Sequence, residues 1–338
     1  MLKLNFDVKK ANDSQIEIFL AGYDDLWRLT KLISIKYSLE EREALKKKLK
    51  SYYGPSFSVD SDDYIYNQAT NGLLFSAVSE LVMYMEDLFV LMKYIREEEE
   101  FIKKVVVYYA NKIGKLPEKI LKLDREDILK IFLIPSKDHI DKLIKETNSP
   151  LEHLDIYSEG ISNVYRYLDD IIISFKKYRF IYNQYKHGLT VALRPYGNNL
   201  SKKELNRRKN SLDSSLYCYD NTDIGKAIER NPAQPFIIPS ITENLQPGIT
   251  SLNNNNNLLR YSGVYDVSID ELIKLGSKVH SLIRILSSNR YDFVKPHHLE
   301  ANTFYLPVPT RKDKLRLVQF SLVPKESLLK LNDFNVEI

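Results

Sequence analysis

The sequence holds a single cysteine, Cys218, and only 11 glycines among its 338 residues. One cysteine excludes an internal disulfide and any zinc site built from thiolates. Long apolar runs are missing as well. The most apolar segment, Gly72 to Ile95, carries Glu80, Glu86, Asp87 and Lys93, so nothing approaches the roughly 18 uncharged residues that a membrane-spanning helix requires. There is no glycine-rich phosphate loop, no G-x-S-x-G turn and no H-E-x-x-H pair. His139, His153 and His280 are scattered. His297 and His298 are adjacent, and on a strand such neighbours point to opposite faces. The reading is therefore a chain with no metal, no cofactor and no membrane segment. Charge of one sign is lacking too: 49 basic side chains face 45 acidic ones, a net +4, so any acidic partner must be held by local clusters. The start "MLKLNFDVKK" has no apolar leader, which predicts a cytoplasmic protein.

What is present is a soluble balance, 43% hydrophobic and 28% charged, arranged in two textures. Leu2, Leu4, Phe6 and Val8 alternate with polar residues and "IEIFLAG" follows, so the N-terminus predicts a β-hairpin. From Asp24 onward the spacing becomes helical. "SLEEREALKKKLKSYYG" predicts a helix capped by Ser38, and Ser58 to Gly114 predicts two long helices or one kinked one. "LPEKILKLDREDILKIFLI" and "SKDHIDKLIKET" predict shorter helices opened by proline or serine. A long helix is expected from Leu151 to His187, with a break near Gly160. Beyond Gly188, strand-like segments ("LTVALRPYG", "SLYCYD", "PFIIPSI", "LLRYSGVYDVS", "TFYLPVP", "LRLVQFSLVP") mix with a helix over "SIDELIKLGSKVHSLIRILSSN". The fold class is mainly α with a smaller C-terminal α+β part, divided as 1–57, 58–197 and 198–338.

The most informative stretch is "YRFIYNQYKHGL", Tyr178 to Leu189. On a helix Arg179, Asn183 and His187 fall at i, i+4 and i+8 along one side, with Lys186 within a turn. A histidine there moves protons near neutral pH. The same ending also reads as a plain helix stop, in which His187 and Lys186 favour the negative end of the helix and Gly188 takes the left-handed cap.

"YNQYKHG" closing a long helix, after an earlier helix reading "SAVSELVMYMEDLFVL", resembles the HEPN superfamily, small all-α domains of toxins, antiviral systems and RNA-processing proteins. The resemblance spans roughly Ser58 to Gly197. It implies an antiparallel helical bundle and a homodimer that brings two late helices together over RNA, with cleavage that needs no metal. His187 matches the family histidine and Asn183 the polar position, while Tyr182 stands where the family has arginine. Arg179, two turns before His187, and Lys186 are the cations left to hold the phosphate. On the earlier helix Glu80, Tyr84 and Asp87 share a face, and either acid pairing with Arg179 or His187 would support the site.

Lys202, Lys203, Arg207 and Arg208 form a basic cluster beyond the helix, and Arg311, Lys312, Lys314 and Arg316 a second one. Each is a candidate phosphate contact or a solvated face. Two functions follow: an RNA-directed, metal-independent endoribonuclease of a toxin or antiviral system, and a non-catalytic scaffold that binds a protein partner.

Overall fold

The structure is a computed structural model that describes residues 8–53, 62–108, 110–147, 152–186, 191–192, 214–220, 236–237, 261–296, 302–309, 315–322 and 329–338. Its elements are α1 (Val8–Gly22), α2 (Trp27–Glu40), α3 (Arg42–Tyr53), α4 (Asp62–Tyr94), α5 (Phe101–Val106), α6 (Ala110–Ile113), α7 (Leu116–Ile120), α8 (Arg125–Ile131), α9 (Lys137–Thr147) and α10 (Glu152–Lys186). There follow β1 (Val191–Ala192), β2 (Ser214–Asp220), β3 (Phe236–Ile237), β4 (Tyr261–Val267), α11 (Ile269–Val294), β5 (Asn302–Pro309), β6 (Leu315–Leu322) and a 3-10 turn at Leu331–Phe334. The chain forms two compact units. One is Met1–Arg28, Met83–Phe175 and Leu275–Ile338; the other is Leu29–Val82 and Lys176–Lys274.

The first unit takes its core from one stretch each of α4, α10 and α11. On α4, Tyr84, Met85, Leu88, Phe89, Leu91 and Met92 are all buried. Such all-round burial suits a helix whose apolar residues are not confined to one stripe. α10 is instead amphipathic: Tyr157, Val164, Leu168, Ile171 and Phe175 are buried, while Glu159, Arg166 and Asp169 are exposed. Phe89 and Phe175 meet edge to face, with ring centroids 5.1 Å apart. Lys278 of α11 reaches Asp170 of α10 at 2.5 Å.

The antiparallel hairpin β5–β6 pairs Asn302 with Leu322 through to Pro309 with Leu315. Phe304 and Phe320 stack across it at 5.2 Å, and Tyr157 of α10 packs its edge on both rings. The free edge of β5 does not go unpaired. Asp292 Oδ2 accepts from Thr303 N, Asn289 Oδ1 accepts from Tyr305 N, and Asn163 Nδ2 donates to the carbonyl of Pro307, at 3.0, 2.8 and 3.0 Å. These are the groups facing away from β6, so helix side chains replace a third strand. Arg166 Nη2 holds Asn163 Oδ1 at 2.7 Å and fixes that amide's orientation.

The second unit carries an antiparallel sheet of order β1-β2-β4-β3, with Leu216 opposite Tyr265 and Cys218 opposite both Val191 and Gly263. Leu216, Val267, Ile269 and Leu272 are buried. Lys36 of α2 pairs with Asp270 of α11 at 2.7 Å, a contact that raises the lysine pKa.

Several expectations are corrected. "IEIFLAG" is helical, within α1, and of the strand expected at 2–8 only Val8 is described, as the first residue of α1. The alternation misled because burial follows the helical period: Ile16 and Leu20 are buried, whereas Ile18 is 72% exposed. Ser38 caps nothing; it lies inside α2 and its hydroxyl donates to the Ser34 carbonyl. α4 runs unbroken for 33 residues. The helix expected over 116–134 is two, with Asp124 capping α8 by accepting from Asp127 N. α10 does not break at Gly160. A Cβ there would sit 2.7 Å from the Leu306 Cβ, so the glycine lets the hairpin approach the helix.

Asn289→Ala removes the acceptor for Tyr305 N and the donor to the Phe132 carbonyl, a 2.8 Å bond. One buried and one part-buried backbone group then lose their partners, an expected cost of roughly 2–4 kcal/mol. Ser34→Ala, at an exposed bond, should stay within about 0.5 kcal/mol of the parent. Urea unfolding of both variants checks this; equal loss, or none for Asn289→Ala, contradicts the edge-capping account.

Candidate functional site

The end of α10 presents Arg179, Asn183 and Lys186 at i, i+4 and i+7. Asn183 and Lys186 are exposed and Arg179 is half-buried. Tyr178, just before Arg179, and Ile181, between Arg179 and Asn183, are buried, which turns the polar stripe outward. Burial, followed by the charge of Glu271, pushes Tyr178 up to about 12. Tyr182, in the slot where the resemblance calls for arginine, is half-buried. His187, Lys202, Lys203, Arg207 and Arg208 lie outside the described residues.

The three supporting residues on α4 are engaged with α2 and the turn before it. Glu80 pairs with Lys31 at 2.6 Å. Asp87 takes Nε and Nη2 of Arg28 at 2.5 and 3.5 Å, and the Arg28 guanidinium stacks on Trp27 at 4.1 Å. Tyr84 donates to the backbone carbonyl of Asp25. Acids on so apolar a helix need partners, and the sequence shows that need without showing the partners, which lie 49 and 59 residues away.

Asp25 is the centre of a polar cluster that the sequence reading missed. It is 6% exposed. Its carbonyl accepts from Tyr84 Oη and lies 3.2 Å from His280 Nδ1; its carboxylate lies 3.3 Å from Arg284 Nη1 and 4.0 Å from His280 Nδ1. A carbonyl only accepts, so His280 Nδ1 carries a proton, and in the neutral ring Nε2 keeps its lone pair. His280 and Arg284 stand at i, i+4 on α11, which was the available signal in the sequence. Burial, and then the Asp87 carboxylate, raises the Tyr23 phenol above its ordinary 10.0, and its buried hydroxyl has no hydrogen-bond partner among the described residues. Tyr84 is raised by burial first and by its neighbours Tyr23 and Asp25 after that.

A small pocket between α8, α9 and the 3-10 turn is lined by Glu126, Lys130, His139 and Asp333 among others, and holds about 100 Å³. It is smaller than the roughly 300 Å³ at which ligand pockets begin. Among the described residues no group of three or more His, Cys, Asp or Glu side chains is placed to hold a metal ion. No helix of the described residues is long and apolar enough to cross a membrane.

Because the folded state keeps Tyr84 protonated past its ordinary 10.0, the stabilisation linked to this group is complete below pH 10 and is lost as the pH rises further. Tyr84→Phe should cost about 1 kcal/mol at neutral pH, since His280 still serves the Asp25 carbonyl. The variant should also lose stability less steeply than the parent above pH 10. Denaturant titrations at both pH values test this, and parallel losses contradict it.

No protein-family model, no curated protein and no solved structure matches the chain.

Proposed function

We propose that the chain is a divergent HEPN-like protein that acts on RNA, as a metal-independent endoribonuclease of a toxin or antiviral system, and that it works as a homodimer in which two α10 ends face one RNA. The observation that carries this reading is the outward polar stripe at the end of α10. Asn183 and Lys186 are exposed there and Arg179 is half-buried on the same side, immediately before His187. In this reading His187 takes the proton of a ribose 2′-hydroxyl, and the 2′-oxygen closes on phosphorus. The 5′-oxygen then leaves and takes a proton from water. Lys186 and Arg179 offset the charge gathering on the phosphate oxygens, and Asn183 orients the phosphate. On a helix the eight residues from Arg179 to His187 rise about 12 Å, so the long arginine side chain reaches a phosphate held near the level of Asn183. Lys202, Lys203, Arg207 and Arg208 extend the phosphate contacts along the strand.

A second reading rests on Tyr182. A half-buried phenol in the arginine slot removes the planar fork that the chemistry favours, and the same outward face then serves a protein partner in a non-catalytic scaffold.

Cleavage of a mixed RNA pool in EDTA separates the two. The nuclease reading expects His187→Ala to lose about 10²- to 10⁴-fold in rate. It expects Asn183→Ala to lose about tenfold, one hydrogen bond's worth, with melting unchanged because Asn183 is exposed. A folded parent protein that cuts no RNA supports the scaffold and contradicts the enzyme.

A further inference from the structure

The helices α2 and α3 meet at Glu41, in the second unit, and hydrogen bonds of helical type cross the junction. Glu41 N donates to the Tyr37 carbonyl at 3.0 Å and Leu45 N to the Glu41 carbonyl at 3.1 Å, so one period places the side chains on both sides of it. α2 turns Leu32 and Leu39 inward. On its other side Ile33 is 51% and Tyr37 66% exposed, and the helical period carries that line through Ala44 to Ser51 and Tyr52, the last 85% exposed. Among the described side chains of α3 none is buried. So short a helix holds little structure in water unless a face of it packs on something.

The charges beside this line are arranged symmetrically about Ala44. Glu40 and Glu41 precede it by the same steps at which Lys48 and Lys47 follow it. On the helix Glu40 and Lys47 flank the line on one side, and Glu41 and Lys48 on the other. Each of these side chains is exposed. Glu40 meets Lys36 only at 3.7 Å, and that lysine is held by Asp270 at 2.7 Å. Glu41, Lys47 and Lys48 make no ion pair among the described residues.

We propose that this face pairs with the same face of a second copy of the chain, antiparallel, about a two-fold axis at Ala44. Rotation about that axis sets Glu40 of one copy beside Lys47 of the other, and Glu41 beside Lys48, and the symmetry repeats both pairs. Tyr37 meets Ser51 and Tyr52 of the second copy, and the small side chain of Ala44 lets the helices approach at the centre. A parallel pairing in register sets glutamate on glutamate and lysine on lysine. A phosphate backbone meets Glu40, Glu41 and Glu43 in the middle of the face, so the charge pattern favours a second copy over a nucleic acid. The contact uses other helices than the α10 ends and does not rest on the RNA reading.

Sedimentation equilibrium of the full chain tests it. A contact confined to Tyr37 through Tyr52 is smaller than a standard interface, so a reversible dimer with a dissociation constant on the order of micromolar is expected, weakened by added salt. Two charge variants decide the geometry: Glu40→Lys with Glu41→Lys, and Lys47→Glu with Lys48→Glu. Each alone sets like charges against one another across the axis and should dimerise at least about tenfold more weakly, with circular dichroism unchanged because the substituted side chains are exposed. Mixed in equal amounts the two variants are complementary again, and should recover the parent's affinity as a heterodimer. A parent that stays monomeric at submillimolar concentration overturns the proposal. So do variants that each dimerise as the parent does, which is the result of a dimer held by the α10 ends alone, and variants that stay apart on mixing.

Discussion

The backbone carbonyl of Asp25 accepts from Tyr84, 59 residues away, and pairs with His280, 255 residues away. That one buried oxygen fixes the turn between α1 and α2 against α4 and α11 within the first unit. The constraint behind it is general: a polar group taken out of water without a partner costs more than a made hydrogen bond returns. A turn lodged among apolar helices must therefore find donors, and the helices must supply them at set positions. Tyr84 brings a large apolar ring to the core and a hydroxyl to the turn, a combination that phenylalanine lacks.

The same constraint shapes the hairpin. A two-stranded ribbon leaves an open edge on each side, and at β5 three helix side chains close it. Asn163, Asn289 and Asp292 are 5%, 1% and 3% exposed, burial these polar residues tolerate because each is bonded to a backbone group of the strand. Gly160 belongs to this arrangement too, since it admits Leu306 where any larger residue would push the strand off α10. Packing and hydrogen bonding thus specify one register together, because sliding β5 by one residue would turn the wrong backbone groups toward the helices.

Much of this was legible in the sequence where local pattern dominates. The α10 stripe followed from i, i+3 and i+4 spacing, and the strands at 214–220, 261–267, 302–309 and 315–322 followed from β-branched and aromatic runs. The N-terminus was not legible, because Ile16, Ile18 and Leu20 fit an alternating strand as well as a helix until burial shows Ile18 outside. Gly160 read as a breaker since its use is a contact with a residue 146 positions later. For the site, the stripe of Arg179, Asn183 and Lys186 was visible as helical spacing, yet His280 looked isolated. Its partner at Asp25 lies almost the length of the chain away, and no local pattern encodes that pairing.

Two polar surfaces emerge, the end of α10 and the face running from α2 into α3, and α10 and α2 each bury the opposite side. A rigid helix is a sound base for a recognition site, because the packed face holds the exposed side chains in place. The claim on which most depends is that the Asp25 carbonyl orients His280. Nitrogen-15 NMR of the imidazole in its neutral form tests that claim directly. The expected spectrum shows the proton on Nδ1 and a bare Nε2, as a single tautomer. A proton on Nε2, or an averaged pair of tautomers, would contradict it.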